Sequence, residues 1–257
     1  MQILIIGLCA ALASLLTFFS GFGLGTILTP VFMIFFPIEI SIALTGIVHL
    51  LNNLFKAVLV GKHANWNILL RFGIPAILGA FAGAYLLTHF NTETCLAQYH
   101  LAGRTFCITA LKLIIAALMI FFAFFEILPG LKKLEFGKDK LLFGGLISGF
   151  FGGLSGHQGA LRSAFLIRFK LSKEAFIATG IFIACFIDIT RLTVYYNNMG
   201  NINLHENYKI LLVAVLCAFA GAFLGSKLLK KVTLASVQNI VAVGIILLAI
   251  ALGSGLI

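Results

Sequence analysis

Residues 141–169 read LLFGGLISGFFGGLSGHQGALRSAFLIRF. The stretch is apolar and long enough to enter a bilayer, where a helix needs about 20 such residues. Its middle is Gly152-Gly153-Leu154-Ser155-Gly156-His157-Gln158-Gly159, which interrupts the helical pattern. A break at membrane depth frees backbone N–H and C=O groups. Lipid cannot satisfy them, so they must line a protein-walled or watery cavity. The same event occurs near the start of the chain, where the apolar run from Ile3 to Phe36 is interrupted by Ser20-Gly21-Phe22-Gly23-Leu24-Gly25. The composition agrees with a bilayer as solvent. Of 257 residues, 61% are hydrophobic and 10% charged, against about 45–50% and about 25% in soluble domains. The fold class expected is an all-α integral membrane protein.

Working outward from the two breaks, further apolar spans cover Ile38 to Val60, Trp66 to Phe90, Thr105 to Leu128, Ala175 to Tyr196, Lys209 to Leu229 and Leu234 to Leu256. The chain then divides into a first membrane repeat (1–130), a charged cytoplasmic linker (131–140) and a second membrane repeat (141–257). The halves resemble each other. Phe81-Ala82-Gly83-Ala84-Tyr85-Leu86 matches Phe219-Ala220-Gly221-Ala222-Phe223-Leu224, and Thr45-Gly46 matches Thr179-Gly180. Small residues at such positions let membrane helices approach closely. If each broken segment is a hairpin returning to its own side, thirteen of the eighteen Lys and Arg residues gather on one side. They fall in four clusters: Lys56/Lys62/Arg71, Lys132/Lys133/Lys138/Lys140, Arg168/Lys170/Lys173 and Lys227/Lys230/Lys231. Arg104, Lys112 and Lys209 stay on the other side. The excess of positive charge in cytoplasmic loops favours this arrangement, with both termini external. A hairpin plus three crossings makes the second half an inverted repeat of the first, the pattern of transporters that bind substrate between repeats. The N-terminus lacks a basic leader region and is expected to be the uncleaved first span.

The helix after each break starts with unpaired N–H groups and the positive end of its dipole, an anion-binding arrangement. Gly21, Gly23, Gly25, Gly153, Gly156 and Gly159 are the hairpin glycines. Thr26, His157 and Gln158 stand at the two helix starts, with Arg162 one turn further on. A guanidinium offers donors in a fixed fork that suits oxyanions. Asp188 and Arg191 lie three residues apart in one apolar span, hence on one helix face. Intramembrane charges are functional candidates by default. Asn53 and Lys56 repeat that spacing in the first half, with His49 and Asn52 nearby. The expected substrate-binding residues are Thr26, His157, Gln158, Arg162, Arg191, Lys56 and Asn53. Asp188 and His49 supply a coupling or structural charge. Each also has a plainer reading: a kinked packing helix, a helix-pinning salt bridge, a lysine reaching for the interface, a hydrogen-bonded core histidine. Hydroxyls such as Ser20, Thr29 and Ser155 commonly bond their own backbone.

Other chemistries find less support. The formal charge of +10 belongs to orienting loops, since no basic patch interleaved with solvent-facing aromatics calls for nucleic acid. Cys9, Cys185 and Cys217 fall in apolar spans. Cys95 and Cys107 flank one loop and are placed to pair if it faces an oxidising compartment. No spacing suggests a metal, and no phosphate loop of the Gly-x-x-x-x-Gly-Lys-Ser/Thr type is present, so no cofactor is expected. Gly153-Leu154-Ser155-Gly156 is similar to the stretch carried by rhomboid-type intramembrane proteases. A serine nucleophile needs a base within reach, and no histidine lies in a later span. An anion channel and a non-transport membrane scaffold are the remaining rivals.

The breaks at Ser20 to Thr26 and Gly149 to Gly156 resemble those of the sulfite exporter TauE/SafE family. The helix starts Glu39-Ile40-Ser41-Ile42-Ala43-Leu44-Thr45-Gly46 and Lys173-Glu174-Ala175-Phe176-Ile177-Ala178-Thr179-Gly180, and the trailing Gly79-Ala80-Phe81-Ala82-Gly83-Ala84, are similar to it as well. The second break departs from the family's runs of consecutive glycines, because His157-Gln158 interrupts it. The resemblance implies gradient-driven transport of sulfite, sulfonates such as sulfoacetate, or related small anions across a bacterial inner membrane. The partners implied are the anionic substrate, the lipid bilayer and a coupling ion, proton or sodium.

Overall fold

The structure, a computed structural model, describes residues 1–18, 23–90, 94–101, 103–128, 130, 136–198, 204–228 and 234–257. Among the described residues the α-helices in chain order are α1 (Gln2–Thr17), α2 (Leu24–Met33), α3 (Ile38–Val60), α4 (Trp66–Thr88), α5 (Ala110–Ile127), α6 (Leu141–Ser155), α7 (Gly159–Leu166), α8 (Lys173–Asn198), α9 (Leu204–Leu228) and α10 (Leu234–Gly253). Among the described residues, four segments are long and apolar enough to cross a membrane: Ile38–His63, Trp66–Thr88, Lys173–Asn198 and Asn207–Lys227. The remaining apolar helices are shorter. The chain is an all-α membrane protein in class.

Local chemistry sets the element ends. Asn65 caps α4 by accepting from the Ile68 N–H at 3.1 Å, and Thr109 caps α5 by accepting from the Lys112 N–H at 3.3 Å. Such caps satisfy N–H groups that a helix start leaves bare. At the breaks, Gly156 closes α6 at φ +83° and Gly23 precedes α2 at φ +110°, backbone that glycine adopts without cost.

The long helices meet through glycine. A β-carbon at Gly79 or Gly83 of α4 would strike the Leu146 or Phe150 carbonyl of α6. One at Gly145, Gly149 or Gly153 of α6 would strike the backbone of Phe72, Ala76 or Ala80 on α4. These pairs rise together, so α4 and α6 run parallel. The α1–α9 seam is built alike: Gly221 sits on the Ala11 backbone, Gly225 on that of Leu15, and Gly7 against Val213 and Cys217. Those helices are parallel too. Helices α3 and α8 are antiparallel, since Gly46 meets Arg191, His49 meets Asp188 and Gly61 meets Phe182.

Helix directions now follow. Helix α3 begins at the end of the molecule where α8 finishes, α9 starts and, through the seam, α1 starts. Helix α2 stops four residues before α3, so α1 and α2 enter and leave at one end. By the same reasoning α6 and α7 open at the opposite end, where α3 stops and α4 starts. The first end carries a two-stranded antiparallel sheet, β1 (Cys95–Leu101) with β2 (Arg104–Thr109). The second carries the linker residues from Phe136.

The sheet corrects the sequence reading, which began a membrane span at Thr105. Residues 104–109 are strand, and α5 starts at Ala110. Alternating Thr105, Phe106 and Ile108 with Gly103 in the turn at φ +77° suit a hairpin better than a helix start. Cys95 and Cys107 are disulfide-bonded across it, with Cα atoms 5.6 Å apart. The Tyr99 hydroxyl ties the sheet to the Ser254 carbonyl at 2.8 Å. Ser20, Gly21, Lys132, Lys133, Lys230 and Lys231 lie outside the described residues.

Candidate functional site

The centres of α3 and α8 face each other. His49 is the middle residue of the 23 in α3, and Asp188 lies near the middle of the 26 in α8. A helix of about 23 residues is about 35 Å long, so these positions fall near the midplane of a bilayer whose core is about 30 Å thick. Asp188 is 0% exposed and Arg191 1%. The carboxylate is shared. Its Oδ2 accepts from His49 Nδ1 at 2.6 Å. Its Oδ1 accepts from Arg191 Nε at 3.0 Å and, at a long 3.4 Å, from Gln158 Nε2. Arg191 Nη2 also lies 2.8 Å from Oδ1, but its N–H bonds do not aim at it. Among the described residues, neither Nη atom of Arg191 has a hydrogen-bond partner.

The array continues along all three helices. Arg162 Nη1 donates to Gln158 Oε1 at 3.3 Å, and Ser148 holds the Gln158 carbonyl at 2.9 Å. With Nδ1 of His49 donating to Asp188, Nε2 is left to accept from Asn53 Nδ2, 3.3 Å away. One turn on, Lys56 is buried, 5% exposed. With the Asn52 amide turned so that its nitrogen donates to the Ala218 carbonyl at 3.1 Å, its oxygen accepts from Lys56 Nζ at 3.3 Å. That orientation satisfies both ends of the amide and is the one adopted here. Lys56 therefore belongs to the interior array, which corrects its placement among the orienting surface charges.

The two breaks meet beside Arg191. A β-carbon at Gly25, on the first turn of α2, would stand 3.3 Å from the Gly156 carbonyl. One at Gly156 would stand 2.9 Å from Arg191 Nη1. Glycines of the repeated Thr-Gly pairs also clear space for guanidiniums. A β-carbon at Gly46 would lie 3.2 Å from Arg191 Nη2, and one at Gly180 would lie 3.3 Å from Arg162 Nε. The sequence reading took those pairs only as marks of repetition. Tyr195 was missed as well. Its hydroxyl donates to the Gly153 carbonyl and fixes the end of α6, yet its place near the end of an apolar span looks like an interface tyrosine.

The structure brings His49, Asn53, Lys56, Gln158, Arg162, Asp188 and Arg191 into one array. Thr26 is buried next to Gly25. His157 turns elsewhere: its ring stacks on Phe122 of α5, centroids 5.3 Å apart, and Nδ1 meets Ser155 Oγ at 3.1 Å. Gly153 lies in the α4–α6 seam, and Gly159 opens α7. A cavity of about 10 Å³, lined by Thr17, Phe18, Leu24, His49, Asn53, Lys56 and Ile181, borders the array. It has room for about one water. A larger hollow of about 560 Å³, between the α2–α3 turn and the chain end, holds none of these residues. Chemistry, and not size, marks the site.

Residues 6–252 match the family model described as Sulfite exporter TauE/SafE. The chain belongs to that family. No curated protein and no solved structure matches it. As a TauE/SafE member it is a multi-pass membrane transporter and not an enzyme, and the family's description points to sulfur anions. The geometry at Ser155 agrees with the exclusion of a protease. Its hydroxyl lies 3.1 Å from the Phe151 carbonyl, the own-backbone bond common for a helical serine.

Proposed function

We propose that this TauE/SafE chain is a secondary transporter that binds sulfite, or a small sulfonate such as sulfoacetate, near the midplane where the two breaks meet. The observation that carries the reading is Arg191. It is buried, its Nη1 and Nη2 lack hydrogen-bond partners among the described residues, and it stands at the contact of Gly25 with Gly156. Asp188 neutralises the guanidinium through Nε, so the Nη donors are left over for a bound oxyanion, which can accept two parallel hydrogen bonds. The starts of α2 and α7 add N–H groups of the right sign. Thr26, Gln158, Arg162, Asn53 and Lys56 complete the binding region.

The direction of the helices supports an inverted repeat, because exchanging the halves turns the α1–α9 seam into the α6–α4 seam. The disulfide-bonded sheet supports an external first end, since such bonds persist in oxidising compartments. Lys62, Lys140, Arg168, Lys170 and Lys173 at the second end support a cytoplasmic face. Both termini are then external, and the membrane is the bacterial inner membrane. The closed packing around Arg191 favours alternate exposure over an open anion channel.

Titration of purified protein with sulfite tests the reading. Saturation at 100 times Kd is worth about 2.7 kcal/mol, a rise in Tm of about 5–10 °C for a chain of this size. Arg191→Met should remove the rise. A sulfite response of wild-type size in that variant would refute the site.

A further inference from the structure

The shared carboxylate carries an inference that rests on the transporter reading and names its coupling ion. We propose that His49 is the coupling-proton site, and that protonation of His49 and binding of the anion at Arg191 favour each other through Asp188. Asp188 presents one oxygen to each partner: Oδ2 to His49 at 2.6 Å and Oδ1 to Arg191 Nε at 3.0 Å. With His49 neutral, the carboxylate charge serves Arg191 and competes with an incoming anion. A proton on His49 gives Asp188 a second cation, and the Arg191 charge becomes available to substrate. Anion and proton then enter together with no change in net buried charge, which the desolvation cost of a lone ion favours.

The surroundings fit a proton better than a metal cation. Hard cations are held by several oxygens. Here the oxygens of Asp188 face N–H groups of His49, Arg191 and Gln158. Imidazole is the side chain whose charge ordinarily changes between about pH 5 and 8. His49 also borders the one-water cavity shared with Thr17 and Leu24, which flank the first break. The His49 side chain keeps 11% exposure, whereas that of Asp188 has none. Other titratable or charged groups around the array are Lys56 on α3, Cys185, Arg191 and Tyr195 on α8, Arg162 on α7 and His157 at the break. Lys56 lines the same cavity and is the rival proton carrier.

The test uses full-length protein in detergent, titrated calorimetrically with methanesulfonate and with sulfate, anions of constant charge near neutrality. Buffers of different ionisation enthalpy report protons taken up per anion. The expected result is uptake approaching one proton in wild type on the alkaline side. Affinity should fall by about tenfold per pH unit as pH rises there, the reciprocal of anion-linked protonation. His49→Gln should bind with no uptake and no pH slope, while Lys56→Met, which removes a cation of the binding region and should bind more weakly, still takes up its proton per anion bound. If His49→Gln does not fold, the wild-type uptake and the Lys56→Met comparison still decide. Binding without proton uptake in wild type, or loss of uptake in Lys56→Met, overturns the inference alone. Failure of wild type to bind either anion, or sulfite, overturns the transporter site and this inference with it.

Discussion

Arg191 occupies ground that a side chain at Gly46 would need: a β-carbon there would stand 3.2 Å from Nη2 and 3.3 Å from Cζ. The two residues sit on facing helices from different halves of the chain. Gly46→Ala should therefore displace the guanidinium by a few tenths of an ångström while α3 stays intact. We expect a folded protein whose sulfite affinity falls by about tenfold, or about 1.4 kcal/mol. Calorimetric titration of the variant checks this; unchanged affinity would mean that the position of the fork does not matter to the anion.

Removing charges one at a time and together separates binding from packing. Asp188→Leu alone leaves Arg191 buried without its carboxylate and should cost about 3–5 kcal/mol. Arg191→Met alone strands Asp188 and should be similarly harmful. The pair Asp188→Leu/Arg191→Met should recover much of the stability, because apolar groups often replace a buried ion pair well. That double variant should melt near wild type and show no sulfite shift. Arg191→Lys keeps the charge and loses the fork, so weaker binding without unfolding is expected. A double variant that still transports would make Arg191 structural and move the search to Arg162.

The seams make a sharper stability prediction. Gly149→Val would force a side chain onto the Ala76 backbone, and overpacking against side chains alone already costs about 1–3 kcal/mol. The protein should fail to accumulate in a form that survives detergent extraction and size-exclusion chromatography. At Gly244 of α10 a β-carbon would meet nothing within 4 Å. Gly244→Ala should raise Tm slightly, since alanine exceeds glycine by about 1 kcal/mol in helix propensity.

Orientation is open to labelling in intact cells. Lys209, exposed on α9 at the sheet end, and Lys62, exposed after α3 at the linker end, should report opposite sides. In a background without Cys9, Cys185 and Cys217, an impermeant maleimide should modify Lys209→Cys and leave Lys62→Cys untouched until the cells are opened. The reverse result would turn the assignment upside down.

Much of this was legible in the chain because bilayer chemistry writes large. Two glycine-rich interruptions inside apolar runs can only be breaks, and Asp188 with Arg191 in one span could only share a helix face. The helix boundaries at Thr17, Leu24, Ser155 and Gly159 sit close to where the glycines placed them. What stayed hidden depends on facing another element. Nothing in the local pattern says that Gly46 and Gly180 seat guanidiniums, that His157 turns to Phe122, or that Lys56 points inward to Asn52. The strands at 95–109 were hidden for another reason: a few alternating residues beside an apolar span read as its polar margin.

The two glycine seams also constrain how the halves can move. Helix α1 belongs to the first half and is locked to α9 of the second, while α6 of the second is locked to α4 of the first. A hinge at the linker would have to shear backbone against backbone along both seams at once. The halves are thus interleaved like the fingers of clasped hands, and they cannot rock as separate blocks. The pieces left free of such locks are the short arms, α2 with 10 residues and α7 with 8, each joined to its partner through a glycine of positive φ. Both arms are largely buried, so a swing of either must give up its own core contacts, while the two seams can stay closed.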